Sequence, residues 1–417
     1  MSNVMAKLAA VLLAALTVFP CALSAAAETS PVQTNIQPLR IAVASDLHMD
    51  PDNSDRTRGT QVVYNQELVD ALLWDAKQQG ASLLLITGDL VNCGRRYRHE
   101  ALVNKLQKAE AEGLDVYVLP GNHDLRPITQ TEFQAYYEDF GYGEAYSRDE
   151  SSLSYCVIRD GLMLLMIDTA GYSAKSIDLP GAPERSDEDI FFTEKTLAWA
   201  ETCLAKARED GLKVLAAGHY NLIPEITTKL KRAYTLENGE RFAQMLRDYD
   251  VPLYLSGHLH FRDVCQEDGL TELLTGYLLG YPTAYSLLDI NEDGIRYTPR
   301  RIDVEAWAAE VGEEEPLLLN YADWQQDGLF RNAVVNVQFM SNRNPISKEE
   351  QTQAAGFFYT VMNSFWDGSL SEKRTALKAL PGYEPFFRCA QGFDYGWWVE
   401  SLIENATPLL KGFKIPW

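Results

Sequence analysis

Short apolar runs alternate with helical patterns along most of the chain. Each run has four to seven nearly continuous apolar residues, which is typical of strands buried on both faces. The runs cover residues 39–45, 81–87, 115–119, 162–167, 213–217 and 252–256. Helical periodicity covers residues 66–79, 100–112, 193–209 and 240–249. This alternation of strands and helices predicts an α/β fold over residues 38–303.

The pattern changes from about residue 304, where helical stretches replace the apolar runs. Two segments have capping-box spacing, Ser347 to Glu350 and Ser369 to Glu372. We therefore expect a small all-α domain over residues 304–417. It contains six of the eight tryptophans, which would either pack its core or form a ligand or partner surface: Trp307, Trp324, Trp366, Trp397, Trp398 and Trp417.

The first residues have the pattern of a secretory signal peptide. Lys7 is the only charge among residues 1–27, an apolar run follows it, and small residues precede Ala27. We predict a signal peptide over 1–27, a polar leader over 28–37 and an exported protein. A retained membrane anchor is the alternative, but the run is short for a bilayer span, and no other stretch of the chain is long and apolar enough.

Composition narrows the class of protein. The chain has 417 residues, 46% of them hydrophobic, and 37 basic against 59 acidic residues, for a net charge of −22. This content suffices for a large core, while the charge repels nucleic-acid polymers and anionic membranes. Five cysteines remain after the signal peptide, an odd number whose spacings match no zinc ribbon or C-x-x-C motif, so buried thiols are the favoured interpretation.

The candidate chemistry lies at the ends of the predicted strands. Five of the six histidines and several Asp and Asn residues follow apolar runs, and this edge is where α/β sheets bind ligands. The motifs are D-x-H, G-D, G-N-H-D, G-H and G-H-x-H. Their polar residues are Asp46, His48, Asp89, Asn122, His123, Asp124, His219, His258 and His260.

These residue types suit a pair of metal ions. Carboxylate, carboxamide and imidazole groups together favour Mn²⁺, Fe or Zn²⁺. We expect the D-x-H and H-x-H pairs to place two side chains on one face of an extended segment. Seven ligands serve two ions if one carboxylate bridges them. Each residue alone has an ordinary alternative, such as helix capping for Asp89, but the combined pattern favours a metal centre.

In their order and spacing, these motifs resemble the calcineurin-like metallophosphoesterase superfamily over residues 39–303. The resemblance implies two mixed β-sheets packed face to face with helices outside. It also implies that Asp89 bridges two metal ions. Mn²⁺, Fe and Zn²⁺ all remain candidates for these ions. One metal would have the ligands Asp46, His48, Asp89 and His260, and the other Asp89, Asn122, His219 and His258.

The same resemblance implies hydrolysis by a hydroxide held between the two ions. His123 lies outside the ligand set and would act as general acid, with Asp124 holding its ring. The alternatives are a phosphate-orienting role for His123 and a turn-stabilising role for Asp124. Asn122, His123 and His219 would also contact substrate.

Other polar residues near the motifs have weaker assignments. His99 is a candidate substrate contact, although local capping or packing is the favoured interpretation. Arg95, Arg96 and Arg98 could hold an anionic substrate or form a solvated loop, and Asp168 should support the site without ligating. Four tyrosines could stack on a base or pack the core: Tyr220, Tyr277, Tyr281 and Tyr285.

A narrower resemblance concerns the substrate. The signal peptide, the segments 88–100, 219–223 and 275–282, and the start of the tail at 304–307 resemble exported bacterial phosphodiesterases with a C-terminal helical domain. Such proteins are similar to class III 3′,5′-cyclic nucleotide phosphodiesterases. Many relatives have a second His where this chain has Tyr220.

The sequence therefore predicts an exported dinuclear-metal phosphodiesterase for a small phosphodiester, with a 3′,5′-cyclic nucleotide as the favoured substrate. The alternatives are a phosphomonoesterase or nucleotidase with the same metals, and a metal-binding surface protein without turnover. No nucleic-acid polymer or stable membrane anchor is expected as a partner, and the oligomeric state stays open.

Overall fold

A computed structural model describes residues 36–52, 61–184, 190–223, 236–405 and 411–417. The predicted signal peptide and most of the polar leader lie outside these residues. Thirteen strands among the described residues form two mixed sheets.

The first sheet has the strand order β13-β12-β11-β1-β2-β3. Strands β1, β2 and β3 run parallel, and the other pairs are antiparallel. The first three predicted strands are thus confirmed as neighbours. The bounds are β1 Leu39–Ala44, β2 Leu83–Ile86, β3 Asp115–Val118, β11 Ala284–Asn291, β12 Gly294–Arg301 and β13 Phe413–Ile415.

The second sheet has the order β4-β5-β6-β7-β8-β10-β9. Its central strands β6, β7, β8 and β10 are parallel. Three of them are the remaining predicted runs. The bounds are β4 Ser147–Arg148, β5 Tyr155–Arg159, β6 Leu162–Met166, β7 Lys213–Ala217, β8 Leu253–Ser256, β9 Asp263–Glu267 and β10 Leu270–Leu274.

Alternate residues of a central strand enter two different cores. In β6, Leu164 and Met166 join the larger core, which also contains β1 to β3 residues such as Val43 and Leu85. Met163 and Leu165 join a smaller core on the opposite face. Because side chains alternate across a strand, a sheet covered on both faces needs an apolar residue at every position. This explains the continuous apolar runs.

Helices cover the outer faces of the sheets. The smaller core pairs the second sheet with α4 and α5. The two sheets with outer helices confirm the predicted α/β fold. The helices in this part are α1 Asn65–Gln78, α2 Arg96–Ala111, α3 Gln130–Tyr136, α4 Glu194–Asp210 and α5 Gly239–Asp248.

The C-terminal region is helical, as predicted. Ser347 forms the expected capping box with Glu350. Ser369 precedes its helix without a capping bond, because its hydroxyl bonds to Asp367 instead, so that second capping box was wrong. The helices are α6 Val304–Val311, α7 Tyr321–Arg343, α8 Lys348–Trp366, α9 Leu370–Lys378, α10 Tyr383–Cys389 and α11 Asp394–Asn405.

The last strand joins the C-terminal region to the first sheet. Strand β13 pairs antiparallel with β12, and Phe413 contacts the Tyr297 ring, with the ring centroids 5.6 Å apart. The helical pattern of this region did not predict a strand here. In the part of the chain that the structure describes, none of the helices has the length and apolar character to cross a membrane.

Candidate metal centre

Five loops that follow strands bring the predicted ligands to one place. Asp46 and His48 follow β1, Asp89 follows β2, and Asn122 follows β3. His219 follows β7 of the second sheet. His258 and His260 follow β8. Both sheets therefore contribute candidate ligands, and all seven predicted residues converge.

Each of the two central carboxylates has one oxygen held by the backbone. The His258 amide donates to Asp46 Oδ2 at 3.0 Å, and the His123 amide donates to Asp89 Oδ1 at 2.8 Å. The other oxygen of each group, Asp46 Oδ1 and Asp89 Oδ2, faces imidazole nitrogens. The backbone thus orients both carboxylates for further ligation.

The first group of ligands comprises Asp46, His48, Asp89 and His260, whose donor atoms all lie within 4.8 Å of one another. His48 Nε2 lies 3.1 Å from His260 Nε2 and 3.4 Å from Asp89 Oδ2. His260 Nε2 lies 3.4 Å from Asp46 Oδ1. Two imidazole nitrogens and two carboxylate oxygens therefore face a common point.

The second group converges on the Asn122 carboxamide oxygen. His219 Nε2 lies 3.2 Å and His258 Nδ1 lies 3.1 Å from Asn122 Oδ1. Asp89 Oδ2 lies 3.5 Å from His219 Nε2, about as far as from His48 in the first group. This position between the groups suits Asp89 as the bridging ligand.

Two observations show that this donor set fits metal cations. Asp46 Oδ1 is buried and accepts no hydrogen bond from the described residues, although a buried carboxylate oxygen ordinarily has a partner. The second is the orientation of the His219 ring, whose Nδ1 donates to the Thr87 carbonyl at 2.8 Å and so directs Nε2 at the site. Imidazole, carboxylate and carboxamide donors suit Mn²⁺, Fe or Zn²⁺.

Five of the seven candidate ligands have left-handed backbone conformations. The D-x-H and H-x-H motifs were expected to form extended segments, and this prediction was wrong. A strained turn at alternate residues, rather than the alternation of a strand, directs both side chains of each motif into the site. The φ angles are 51° for Asp46, 42° for His48, 51° for Asp89, 69° for His258 and 60° for His260.

Glycines allow the loops to approach closely. A Cβ atom on Gly88 would lie 2.6 Å from His219 Nδ1, and one on Gly121 would lie 2.2 Å from Asp89 Oδ1. Gly88 also has a φ of +100°, which other residues rarely adopt. The glycines of the G-D and G-N-H-D motifs are therefore required by the packing of the site.

The site is electrostatically negative. Burial alone would raise the pKa values of Asp46 and Asp89, but neighbouring histidines hold both below their usual range, so both carboxylates are charged. Burial alone would lower the pKa of His219, but the charge of Asp89 raises it to about 9. Burial lowers the pKa of His48 to about 4, so this imidazole is neutral at pH 7. Two buried anions beside the neutral imidazole of His48 favour cation binding, and a bound metal ion would displace the second ring proton of His219.

His123 lies at the edge of this centre. Its ring packs edge-on against His48, with the ring centroids 4.7 Å apart, and it is partly exposed. The hydrogen bond that His123 gives to Asp89 comes from its backbone amide. The imidazole thus packs against one candidate ligand without belonging to either ligand group, and its exposed part is open to a bound molecule.

Asp124 does not hold the His123 ring as expected. Its carboxylate accepts hydrogen bonds from the backbone amides of Leu90, Val91 and Gly121 at 2.8–3.1 Å, and none of the bonds among the described residues runs to the His123 ring. Burial and the charge of Asp89 raise the pKa of Asp124 to about 8. The side chain joins the loops after β2 and β3, so it positions Asp89 and Asn122.

His99 lies behind this loop and is fully buried. Its Nε2 donates to the Asp124 carbonyl at 3.0 Å, and its Nδ1 accepts from the Tyr137 hydroxyl at 2.8 Å. Because the ring has no exposed surface, this placement does not suit the substrate contact that was predicted. It suits the packing role.

Two of the four tyrosines orient candidate ligands. Tyr220 stacks on His258 with the ring centroids 3.9 Å apart, and Tyr277 stacks on His260 at 4.5 Å. Tyr285 is buried and donates to Asp75. Because Tyr220 and Tyr285 are buried, these two rings are not placed to stack on a base. The stacking roles were not foreseen, although the position of Tyr220 directly after His219 was a signal.

The remaining candidates have structural partners. Arg96 pairs with Glu132, and Arg98 pairs with Asp50 and Asp52, so neither guanidinium is free for an anion. Asp168 is buried and accepts from the Leu153 and Ala170 amides, which suits the supporting role. Arg95 is exposed.

Tyr281 lies in the wall of a cavity beside His260. Its hydroxyl donates to the Asn363 side chain in α8 at 2.7 Å. It remains a candidate substrate contact.

Comparison with known proteins identifies the class. The family described as calcineurin-like phosphoesterase matches residues 39–262, more than half of the chain. The protein belongs to this family.

Individual relatives are distant. The chain is 28% identical over 165 residues to tartrate-resistant acid phosphatase type 5 of Mus musculus, and 29% identical over 164 residues to that of Homo sapiens. These matches cover 38% of this chain and 47–48% of the relatives. The chain thus spans about half the length of the curated relatives it matches.

A solved structure shares the fold. The crystal structure of a dimetal phosphatase from Danio rerio aligns with a TM-score of 0.50 and 14% identity. The alignment covers 64% of this chain and 97% of that chain. At this identity the likeness concerns the fold.

Proposed function

We propose that the protein is an exported, dinuclear-metal phosphodiesterase that hydrolyses a small phosphodiester, with a 3′,5′-cyclic nucleotide as the favoured substrate. The observation that carries the proposal is the convergence of two ligand groups on the two sides of Asp89 Oδ2. Membership of the phosphoesterase family supports the reaction class. The signal-peptide pattern supports export.

The residues have separate roles in this proposal. Asp46, His48, Asp89 and His260 would hold one ion, and Asp89, Asn122, His219 and His258 the other. Two such ions would supply an acidified water and offset negative charge on the phosphate. Mn²⁺, Fe and Zn²⁺ all suit these carboxylate, carboxamide and imidazole donors.

The proton for the leaving group comes from His123. Its partly exposed imidazole, beside the ligand His48, can reach an ester oxygen that leaves a phosphate bound at the centre. Protonation of that oxygen avoids release of a strongly basic alkoxide. Asp124 contributes indirectly, since its bonds to backbone amides hold the loops that bear Asp89, Asn122 and His123.

A second candidate is a phosphomonoesterase with the same centre. It is favoured by the two relatives named as acid phosphatases and by the structural neighbour named as a dimetal phosphatase. The ligand geometry is equally suited to both reactions, because the surrounding loops select the ester.

A comparison of substrates tests the proposal. Protein from residue 28 onward, stripped of metal and reloaded with Mn²⁺, is assayed with a bis-aryl phosphate, a mono-aryl phosphate and cyclic AMP. We expect metal-dependent turnover of the diester and of cyclic AMP. Turnover of the monoester alone would establish the phosphatase instead, and no turnover with two metals bound would favour a binding protein.

A further inference from the structure

Two cysteines lie in contact in the smaller core. Cys156 is in β5, and Cys203 is in α4, the helix that covers this face of the second sheet. Their Sγ atoms are 3.6 Å apart, and both side chains are buried. Both are free thiols in the structure. At this separation the sulfur atoms touch, and a modest rotation of the side chains would bring them to bonding distance.

Neighbouring residues hold the two cysteines together. Cys156 is the register partner of Ser147 in the pair of strands β4 and β5. The Ser147 hydroxyl accepts a hydrogen bond from Trp199 Nε1 in α4 at 2.9 Å. Trp199 precedes Cys203 by about one helical turn. The strand and the helix that bear the two sulfurs are therefore joined beside the pair by groups other than the cysteines, so the folded protein keeps the sulfurs in contact.

The other cysteines of the described residues lie away from Cys156. Cys93 is exposed and follows β2 of the first sheet. Cys265 is in β9, an edge strand of the second sheet that lies five strand positions from β5, or about 24 Å. Cys389 is buried in the larger core at the end of α10, where its Sγ donates to the Phe386 carbonyl. A disulfide of Cys156 would therefore be formed with its neighbour in α4.

The proposed export and the burial of the pair together favour a bond between these thiols. Outside the cytosol, neighbouring cysteines form disulfides that persist, whereas the cytosol keeps them reduced. The signal-peptide pattern of residues 1–27 supports export. The surroundings of the pair in this core are apolar and include Met163 and Leu165. A disulfide in such surroundings is shielded from reductants once the chain has folded.

We propose that Cys156 and Cys203 form a disulfide that joins β5 to α4 in the exported protein, an inference that rests on the proposed export. The oxidant is a disulfide of another protein or of a small thiol. One cysteine thiolate attacks this disulfide and releases one thiol, and the second cysteine attacks the mixed disulfide and releases the other. The two cysteines lose two protons and two electrons, which reduce the oxidant to two thiols. Because both sulfurs are buried after folding, the exchange takes place while the chain folds.

Counting of thiols tests the bond directly. Protein from residue 28 onward, which has five cysteines, is produced in a bacterial host with an oxidising cytosol and in one with a reducing cytosol. Each preparation is unfolded in acid without reductant and alkylated with N-ethylmaleimide. For the oxidising host we expect two cysteines to escape alkylation and an unreduced digest to contain the peptides of Cys156 and Cys203 joined. Alkylation of all five, or a bond between other cysteines, would overturn the inference. The test does not depend on export or on phosphodiesterase activity.

Thermal unfolding gives a second readout. The two cysteines are 47 positions apart, and a bond over such a loop restricts the unfolded chain, so the oxidised preparation should melt about 5 °C above the reduced one. Cys203→Ala keeps a small apolar side chain in the core and should melt at the same temperature from both hosts. Cys93→Ser removes an exposed thiol and should keep the full difference. A difference that persists in Cys203→Ala would trace the effect to other cysteines and contradict the inference.

Discussion

At the scale of single residues, His123 is the group whose role is most sharply testable. His123→Ala removes the imidazole but keeps the backbone amide that holds Asp89 Oδ1. We expect kcat for a diester with an alkyl leaving group to fall about 10²- to 10⁴-fold. For p-nitrophenolate, a weak base that leaves without protonation, the fall should be far smaller. Bound metal should stay unchanged.

The alternative role of His123 predicts a different outcome. If the side chain only orients phosphate, the alanine variant loses activity to the same extent with both leaving groups. The comparison of leaving groups is therefore the decisive observation, since a loss of activity alone would fit either role.

A second prediction at the scale of single residues concerns His99 and the pH dependence of the free energy of unfolding. Burial lowers its pKa from 6.5 to about 4. Below pH 6.5 the unfolded chain takes up a proton that the folded protein does not, so stability is lost as the pH falls. Between pH 7.5 and 4.5 this group should cost about 3 kcal/mol, at 1.36 kcal/mol per pKa unit.

Urea unfolding of the metal-free protein measures this cost. The wild type should lose about 3 kcal/mol more than His99→Leu over that pH range, because the variant cannot titrate. The difference between the two proteins cancels the contributions of the other histidines. Parallel pH profiles would show that His99 is already protonated in the folded state or is accessible to water.

At the scale of elements, a buried carboxylate links β10 to the loop that bears His219. Glu272 accepts from the Leu222 and Ile223 amides and from the Asn221 and Ser256 side chains, at 2.6–3.2 Å. These bonds begin two residues after His219. Glu272 therefore fixes the course of the chain immediately beyond this candidate ligand.

Removing this link should affect both stability and the metal site. Glu272→Ala leaves several buried donors unpaired and should cost about 3 kcal/mol in the free energy of unfolding. Metal affinity should fall about tenfold, as for other groups that orient ligands. Glu267→Ala, an exposed change in the neighbouring β9, is the matched control. Unchanged metal binding in a destabilised Glu272→Ala protein would limit Glu272 to a structural role.

Many of the strands and helices were predictable from the sequence, and the exceptions have physical causes. The six apolar runs became strands because both faces of the sheets are covered, which leaves a continuous apolar signal. Strand β13 has only three residues, Phe413–Ile415, too few for a periodic pattern. Ser369 has capping-box spacing, yet a competing bond to Asp367 changes its role. Spacing alone does not reveal such competition.

The candidate site was likewise predictable only in part. The motifs named the seven candidate ligands that converge, since each follows a strand and the strand ends of the two sheets meet in one place. Their left-handed turns were not predictable from a two-residue spacing. The contacts of Asp124 with Leu90 and Val91 join residues more than thirty positions apart, so they depend on the tertiary fold.

At the scale of the whole molecule, the two sheets and the C-terminal helices each supply part of one region. The first sheet carries Asp46, His48, Asp89 and Asn122, and the second sheet carries the remaining three candidate ligands. The C-terminal helices add the wall that contains Trp366. A complete site therefore needs the packed molecule. The claim of a dinuclear metal centre is for this reason tested by the number of metal ions bound per chain, and not by any one motif.

The most direct test of that claim is the metal content of the purified protein. Mass spectrometry of the folded wild type should find two ions of Mn, Fe or Zn per chain, and Asp89→Asn, with an unchanged melting profile in the metal-free state, should lose most of both. Loss of both follows from the position of Asp89 Oδ2 between the two ligand groups. A single ion in the wild type, or two ions retained by Asp89→Asn, would contradict the dinuclear centre bridged by Asp89.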